Sequence, residues 1–407
     1  MNMYVPDYIS DVLNILYNNG FEGYLVGGCV RDVMMGKTPH DFDLTTNALP
    51  KEMLSVFSSY RIIETGIKHG TVTVVSNGEN VEITTYRIDG KYLDNRRPEE
   101  VTFTRNLHED LSRRDFTVNA LAYSPKDGLV DIFGGMTDLE NRVIRCVGDA
   151  DKRFNEDGLR IMRALRFSSV LDFDIEDETA KSIHRNKDLL KNISAERIYT
   201  ELKKLVCGKR AKSIIREYTD VFETVFPMIS DYVDKFVANA EKTDYLSQNP
   251  SLRLASLLFG FDNAVVRKFM NSLKSDNKSL FEVSELNLMS RQSIGCDKVS
   301  VRHLMGKYDS QFIEMLSELK KAYCNDFDYD EFMHCYNAQK EQNPCVSLKT
   351  MNFTGSDLIS LGIERGPVIG DIMNKLLELV ISDQCENDFE KLKTHAKKLI
   401  AENKNEN

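Results

Sequence analysis

Two aspartates separated by one residue, Asp41 and Asp43, constrain this chain more than any other feature. Phe42 and Leu44 complete an alternation of acidic and apolar residues, so on a β-strand both carboxylates project from one face. Neighbouring carboxylates repel each other unless a cation lies between them, and proteins hold Mg²⁺ with one or two carboxylates plus substrate phosphates. The pair therefore predicts a magnesium site, with Asp41 and Asp43 as its ligands, beside a bound phosphate.

The segment just upstream strengthens this prediction. Residues 24–26 form a short apolar run that ends in Gly27 and Gly28, a pattern typical of a strand that enters a tight turn. Glycine lets the backbone approach a phosphate closely, and the Arg31 guanidinium can clamp that phosphate. A solvated acid pair at a strand end is the alternative, and it is the better interpretation only for an isolated D-x-D sequence.

The composition sets limits on size, partners and compartment. With 407 residues the chain is too long for one ordinary core, so several domains are expected. A formal net charge of −10 disfavours a generally basic nucleic-acid coat and an anionic membrane surface, but it permits a local basic groove. The eight cysteines form no C-x-x-C pair and no zinc spacing, which predicts reduced thiols in the cytoplasm. We expect neither a signal peptide nor a membrane span.

Secondary-structure patterns change near position 150 of the sequence. Before it, β-branched runs at 71–75, 81–86 and 128–134 alternate with turn signals, and stretches at 9–16 and 51–57 have the apolar spacing of helices. After it, helical periodicity dominates and few prolines interrupt it. The sequence therefore predicts an α+β domain followed by an all-α remainder.

Two charged segments lie between the predicted strands. Residues 88–101 mix both signs of charge with Gly90 and Pro98, which indicates an exposed, mobile loop. Further along, Arg113 and Arg114 precede an apolar, helix-like run. A plain helix start is one interpretation, but two arginines at a helix N-terminus oppose the helix dipole. A bound anion such as a triphosphate would relieve that conflict.

A second motif begins at Asn155, which is predicted to cap the N-terminus of a helix whose first residues are acidic. Asp157, Arg160 and Arg163 recur at intervals of three, so they follow one side of that helix, whereas Arg166 is about half a turn away from Asp157. A capped helix with surface ion pairs would explain the spacing without any ligand.

The chemistry of Asp157 and Arg160 favours a role in selecting a base. A carboxylate only accepts hydrogen bonds and a guanidinium only donates them. Cytosine and adenine each present an amino donor beside a ring-nitrogen acceptor, while guanine and uracil present the reverse order. A fixed pair would therefore accept C and A, and it would leave buried polar groups unpaired beside G or U.

Six motifs occur in order within residues 20–210: GGCVRD, DFD, EDLSRRDFTVNA, DIFGG-x-x-DLE, EDGLRIMRALRF and ISAERIYTELKKLV. Together they closely resemble the class II tRNA nucleotidyltransferases, the bacterial-type CCA-adding enzymes that share their head with bacterial poly(A) polymerases. The resemblance implies an α+β, polymerase-β-like nucleotidyltransferase head with a mixed sheet, followed by an all-α neck, body and tail. The matching divisions are residues 1–148, 149–210, 211–275 and 276–407.

The resemblance also implies an activity and a set of site residues. Such an enzyme uses Mg²⁺ to add C, C and A from CTP and ATP to the 3′ end of tRNA, with release of pyrophosphate. Glu82 is the candidate for a third catalytic carboxylate beside Asp41 and Asp43, and the loop at 88–106 would help to change specificity from C to A. The implied nucleotide-binding residues are Gly28, Arg31, Arg114, Asp157, Arg160, Arg163 and Arg166.

The tRNA should be bound mainly through its shape and phosphates. A basic patch is predicted to contact RNA, although a solvated helix end explains it equally well. Other enzymes on the same head stay open, namely a poly(A) polymerase or a partial CC- or A-adding enzyme, as does a non-catalytic RNA-binding protein. The chain is expected to be a monomer or a homodimer. The basic patch comprises Lys203, Lys204, Lys209 and Arg210.

Overall fold

A computed structural model of the chain describes residues 3–89 and 101–405. The chain forms two compact units. The first contains residues 1–244 and 267–276, and the second contains residues 245–266 and 277–407. No helix in the described parts of the chain is long and apolar enough to cross a membrane.

A mixed β-sheet forms the centre of the first unit. Among the described residues the sheet has seven strands, in the order β3-β4-β5-β2-β1-β8-β9 once strands are numbered along the chain. Only β2 and β5 run parallel as neighbours; the other neighbours are antiparallel. The described strands are β1 (Tyr24–Val26), β2 (Asp43–Thr46), β3 (Arg61–Ile63), β4 (Thr71–Ser76), β5 (Glu79–Thr85), β6 (Arg87–Asp89), β7 (Val101–Phe103), β8 (Leu121–Ser124), β9 (Gly128–Asp131), β10 (Val143–Ile144) and β11 (Asp174–Ile175).

Burial along the strands explains why the sequence forms this sheet. All three residues of β1 are buried, because β1 lies between β2 and β8 inside the sheet. In β4, buried Val72 and Val74 alternate with half-buried threonines, as expected for a strand with one face towards the core. The strands predicted at 71–75, 81–86 and 128–134 correspond to β4, β5 and β9.

The helices of the first unit follow the predicted change near residue 150. The earlier ones are short and interleaved with strands, and α1 carries the predicted apolar face of Ile9, Val12, Leu13 and Leu16. They are α1 (Asp7–Asn18), α2 (Gly28–Met34), α3 (Pro50–Val56), α4 (Leu107–Ser112), α5 (Gly135–Glu140), α6 (Ala150–Glu156), α7 (Leu159–Leu171), α8 (Asp177–Asn186), α9 (Ala195–Val206), α10 (Ala211–Glu217), α11 (Thr219–Val225) and α12 (Val233–Ala240).

Two features of the first unit differ from the sequence-based expectations. The ends of the predicted loop form a ribbon in which β6 pairs with β7, while the centre of that loop, residues 90–100, lies outside the described residues. The helix predicted to begin at Asn155 is instead two helices, because the chain leaves helical geometry at Asp157. Asp149 caps α6 by accepting a hydrogen bond from the Lys152 amide, so Asn155 lies inside that helix and caps nothing.

The second unit is helical throughout its described residues. One of its cores includes Phe353, Ile372 and Leu392, which are fully buried and come from separate segments of the chain. Helix α14 straddles the division between the two units. The helices are α13 (Pro250–Leu257), α14 (Asn263–Ser272), α15 (Asn277–Met289), α16 (Lys298–Lys307), α17 (Ser310–Tyr323), α18 (Tyr329–Gln342), α19 (Gly355–Ser360), α20 (Pro367–Ile381) and α21 (Phe389–Asn405).

The fold class predicted from the sequence is confirmed: a head with a mixed sheet precedes helical domains. The division of the helical part into neck, body and tail at residues 149–210, 211–275 and 276–407 stays a prediction.

Close packing of α7 near the end of α9 generates a stability prediction. A Cβ atom on Gly208 would lie 2.2 Å from Ser169 Oγ and 2.5 Å from the Ser169 carbonyl carbon, so the backbone has to move to admit it. We expect Gly208→Ala to lower the free energy of unfolding by about 2 kcal/mol in urea titrations. Gly370→Ala is the control, because no atom lies within 4 Å of its Cβ position and alanine favours the α20 helix. An equal loss of stability in both variants would contradict the packing argument.

Candidate nucleotidyltransferase active site

The turn from β1 into α2 brings the backbone close to an arginine. Gly27 has a φ of 76°, a left-handed conformation that favours glycine, and a Cβ atom there would lie 3.0 Å from Arg114 Nη1. Gly28 is the first residue of α2 and has no such constraint. The conformational requirement for glycine therefore falls on Gly27, one residue before the glycine chosen from the motif.

Asp43 is the first residue of β2, and Asp41 lies just before the strand. Both residues are exposed. Desolvation by surrounding protein atoms raises the pKa of Asp43, the Arg114 guanidinium opposes that increase, and the Asp41 carboxylate adds to it. The two acids therefore lie close enough to interact, as their spacing predicted, although only Asp43 lies in the strand.

Glu82 is brought beside this pair by the sheet. In the parallel register of β2 and β5, Glu82 is the partner of Asp43, so both side chains project from the same face. Within residues 3–89 and 101–405, however, no group of three or more histidine, cysteine, aspartate or glutamate side chains has an arrangement that could hold a metal ion. The role of Glu82 as a third carboxylate stays a prediction.

Arg31 is buried on α2 and has fixed partners. Its Nη1 donates a 2.6 Å hydrogen bond to Asn119 Oδ1, and its Nε and Nη2 donate to Asp32 Oδ1 at 2.9 and 2.8 Å. Asn119 in turn donates to Asp115 Oδ1 at 3.1 Å. The arginine is therefore oriented before any ligand arrives.

Arg113 and Arg114 lie at the C-terminal end of a helix, and the prediction that they lie at a helix N-terminus is wrong. Arg113 caps the C-terminus of α4, where positive charge is favourable to the helix dipole, and the following apolar run is a single 3₁₀ turn at Thr117–Asn119. The fully buried Asp110 holds Arg113 at 2.8 Å and Arg114 at 3.6 Å. Burial raises the pKa of Asp110, but the two guanidiniums lower it further, so the net pKa is below its usual value.

Arg114 nevertheless lies where a ligand anion would be useful. Its Nη1 donates a long, 3.4 Å hydrogen bond to the Asn119 carbonyl oxygen, and its buried Nε has no hydrogen-bond partner. Its charge also reaches Asp43, where it offsets part of the increase in pKa that desolvation causes. Arg114 therefore lies between the acid pair and the glycine turn.

The predicted base-selecting pair occupies the break between α6 and α7. Asp157 accepts from the Leu159 amide at 3.1 Å and forms a 2.7 Å ion pair with Arg197 of α9. Arg160 is buried and donates from Nη1 to Glu156 at 2.5 Å and from Nη2 to the Arg113 carbonyl oxygen at 2.8 Å. Asp157 and Arg160 are thus one turn apart, but they do not share one helix as the spacing predicted.

Arg163 and Arg166 lie further along α7. Arg163 donates to Asp115 Oδ2 from both Nε and Nη2, at 2.8 and 2.5 Å. Arg166 donates from Nε to Glu201 Oε2 at 2.7 Å, and burial lowers the pKa of Arg166 while Glu201 opposes that change. The structure therefore places Arg31 and Arg163 around the Asn119–Asp115 pair, with Arg166 three residues along α7.

In the predicted RNA patch, Lys203 and Lys204 lie in the last turn of α9, and Lys209 and Arg210 come just after that helix. Lys204 and Lys209 are exposed, Lys203 lies over the Tyr199 ring at 4.4 Å, and Arg210 forms an ion pair with Asp174. Only part of the patch is thus available as free positive charge, and its contact with RNA stays a prediction.

Comparison with known proteins agrees with this geometry. Three family models match in order: the Poly A polymerase head domain at residues 23–145, the probable RNA and SrmB-binding site of polymerase A at 172–233, and a putative tRNA nucleotidyltransferase domain 2 at 249–396. The CCA-adding enzyme of Ligilactobacillus salivarius is 36% identical over 98% of each chain. This chain belongs to the CCA-adding enzyme family. It is therefore a nucleotidyltransferase.

Further relatives give the same family. The CCA-adding enzyme of Lactococcus lactis subsp. cremoris is 36% identical over 96% of this chain and 95% of its own. Among solved structures, the Bacillus stearothermophilus CCA-adding enzyme in complex with CTP has a TM-score of 0.81 at 27% identity, and the match covers 99% of both chains. The polymerase-β-like head expected from the resemblance is confirmed.

Several residues of this CCA-adding family site were not identified from the sequence. Arg197, Asp115 and Glu201 each hold one of the predicted nucleotide-binding side chains. They lie within the quoted motifs, but their partners are 35 to 48 positions away in the sequence. Ion pairs between residues so far apart leave no periodic pattern in the sequence. Only the resemblance of the motifs therefore indicated that these segments are important.

The ion pair between Asp115 and Arg163 generates a pH prediction. Burial raises the pKa of Asp115, but Arg163 and Asn119 outweigh burial and lower it to about 2. A lowered folded-state pKa contributes stability above the unfolded value of 3.8, and this contribution is lost as the pH falls towards 2. We expect Asp115→Asn to reduce the free energy of unfolding by about 2 kcal/mol near pH 6, with a smaller difference from wild type near pH 3.

Urea titrations of both proteins from pH 3 to 7 measure this difference. Asp188→Asn is the control, because Asp188 forms an exposed ion pair with Lys191 and should show little change at any pH. A pH-independent difference for Asp115→Asn would show that the carboxylate charge does not stabilise the fold.

Proposed function

We propose that this protein adds C, C and A, from CTP and ATP, to the 3′ end of tRNA and releases pyrophosphate. The proposal is carried by the acid pair Asp41 and Asp43 beside Arg114, in a chain with full-length similarity to CCA-adding enzymes. The relative solved with CTP supports CTP as a substrate. The free state of all eight cysteines supports a cytoplasmic location.

Mg²⁺ is the proposed cofactor, with Asp41 and Asp43 as its ligands. Carboxylate oxygens are the hard donors that Mg²⁺ prefers, and desolvation together with the neighbouring Asp41 carboxylate raises the pKa of Asp43, a change that a bound cation would oppose. When bound, the metal lowers the pKa of the attacking hydroxyl group and stabilises charge on the leaving oxygens. The residues present therefore fit this cofactor.

The protein side chains then bind and align the reactants. The RNA 3′-hydroxyl attacks the α-phosphate of the nucleotide in line, and pyrophosphate leaves. The guanidiniums of Arg31, Arg114, Arg163 and Arg166 are proposed to bind the triphosphate, and Gly27 and Gly28 allow the backbone to approach it. Because buried partners fix these arginines in advance, they need little reorganisation during the reaction.

Asp157 and Arg160 are the proposed base-selecting pair. Asp157 would accept a hydrogen bond from the amino group of C or A, and Arg160 would donate to the adjacent ring nitrogen. Arg197 orients Asp157 through their 2.7 Å ion pair, while the Arg113 carbonyl oxygen fixes Arg160. In this proposal the incoming base is selected by two protein side chains whose positions are fixed by other protein groups, without a nucleic-acid template.

Partial CC- or A-adding activity and poly(A) addition use the same chemistry, so counting the added nucleotides separates them. We expect the wild-type protein to extend tRNA that ends at the discriminator base by two residues with CTP and Mg²⁺, and by three when ATP is also present. The Lys203, Lys204, Lys209 and Arg210 patch is proposed to contact tRNA, and a weak dependence of tRNA affinity on salt would contradict that contact.

Loss of either acid should abolish this extension. We expect Asp41→Asn and Asp43→Asn each to reduce incorporation from CTP by at least about a hundredfold, because the metal loses a charged ligand. The asparagine side chains keep the size of the carboxylates, so the folded structure should persist by circular dichroism. Asp11→Asn is the control, since Asp11 accepts a hydrogen bond from Asn77 on an exposed surface. Substantial activity in either active-site variant would refute the metal assignment.

Asp157→Asn should alter base selection more than tRNA binding. An asparagine can present an amino donor where the aspartate only accepts, which relieves the penalty against G and U. We expect the ratio of CTP to UTP incorporation to fall by about tenfold or more, with tRNA affinity within about twofold of wild type. Competition assays with the two nucleotides measure the ratio. Unchanged discrimination would remove Asp157 from the base-selecting pair.

A further inference from the structure

One aromatic ring lies among three of the proposed triphosphate-binding arginines. Phe167, on α7, is 6% exposed. The guanidinium carbon of Arg166 lies 3.5 Å from its ring centroid, that of Arg163 lies 5.2 Å away, and that of Arg31 lies 5.3 Å away. Arg31 comes from α2 whereas the other two come from α7, so one ring contacts charged side chains from two parts of the first unit.

The ring and the carboxylates hold these guanidiniums in different ways. Arg31 is paired with Asp32, and Arg166 is paired with Glu201. Arg163 is paired with Asp115 and, at 3.9 Å, also with Glu201. A carboxylate occupies N–H donors at the edge of the guanidinium and neutralises its charge. An aromatic face attracts the cation but carries no net charge and occupies no N–H donor.

Arg166 shows the difference most clearly. Its Nε donates to Glu201, and its terminal N–H groups donate to no residue in the described parts of the chain. Contact with the ring at 3.5 Å holds the guanidinium in place and leaves those donors available. An arginine held by a second carboxylate would offer fewer donors to a phosphate.

We propose that Phe167 is a positioning residue for nucleotide binding: its ring aligns Arg31, Arg163 and Arg166 so that their unused N–H groups meet the triphosphate of CTP or ATP. The inference rests on the proposed function, because it assumes that these arginines bind the nucleotide. In this role Phe167 is uncharged and acts through the arginines, without contacting the nucleotide itself. Since the triphosphate is common to both nucleotides, the ring affects CTP and ATP equally and has no part in base selection.

A purely structural role predicts something different. Phe167 also makes an edge-to-face contact with Phe116 at 5.7 Å, and a ring that only fills the core would affect stability but not nucleotide affinity. A suitable control is Phe173, which is 1% exposed and lies beneath Arg142, an arginine outside the proposed site. Phe173→Leu removes a buried ring that contacts an arginine, without changing the three guanidiniums.

The experiment compares Phe167→Leu, Phe167→Tyr and Phe173→Leu with the wild-type protein. Steady-state incorporation gives kcat and KM for CTP on tRNA that ends at the discriminator base, and for ATP on tRNA that ends in CC. Inorganic tripolyphosphate, tested as a competitive inhibitor against CTP, reports phosphate binding without a base. Circular dichroism and urea titration measure folding, and Phe167→Met replaces the leucine variant if that variant does not fold.

For Phe167→Leu we expect KM for CTP and for ATP, and Ki for tripolyphosphate, to rise by similar factors of roughly five to ten. The CTP to UTP ratio should not change. Phe167→Tyr keeps an aromatic face and should retain a KM near the wild-type value, and Phe173→Leu should lose stability without a change in KM. The proposal is overturned by a KM within twofold of wild type in Phe167→Leu, by an equal increase in Phe173→Leu or Phe167→Tyr, or by an increase confined to one nucleotide. Absence of CTP and ATP incorporation by the wild-type protein would instead refute the proposed function.

Discussion

Buried carboxylates that hold arginines are the interaction on which the site depends. Asp110 fixes Arg113 and Arg114, and Asp115 fixes Arg163. A buried ion pair is costly to break, because removal of one partner leaves an uncompensated charge. The main contribution of such pairs is to fix the positions of the arginine side chains. A binding site for a triphosphate needs these fixed positions before the ligand arrives.

The same contacts join the head to the helices that follow it. Arg160 on α7 donates to the Arg113 carbonyl oxygen at the end of α4, so the helix proposed to select the base is attached directly to the segment that carries Arg114. Arg31 contacts Asn119, and Asn119 contacts Asp115. The residues proposed to select the base and those proposed to bind the phosphates are thus linked by hydrogen bonds and ion pairs within the first unit.

Local patterns predicted the elements of the fold well, and they failed where distant residues decide. The alternation of apolar and polar residues identified β4 and β5, and the spacing of apolar residues identified α1, because both patterns depend only on residues close together in the sequence. The helix break at Asp157 was missed because Asn155 has the residue type of a cap, whereas Asp149 is the residue that caps α6. The pairing of Asp43 with Glu82 depends on a sheet register that the sequence alone does not reveal.

The break between α6 and α7 gives the proposed selecting pair two unlike halves. Arg160 belongs to a thirteen-residue helix that also carries Arg163 and Arg166, so one stretch of backbone supports all three side chains. Asp157 lies in the non-helical segment between α6 and α7 and forms an ion pair with Arg197. The acceptor and the donor of the proposed pair are therefore held by different contacts, so loss of Arg197 would displace the acceptor and leave the donor in place.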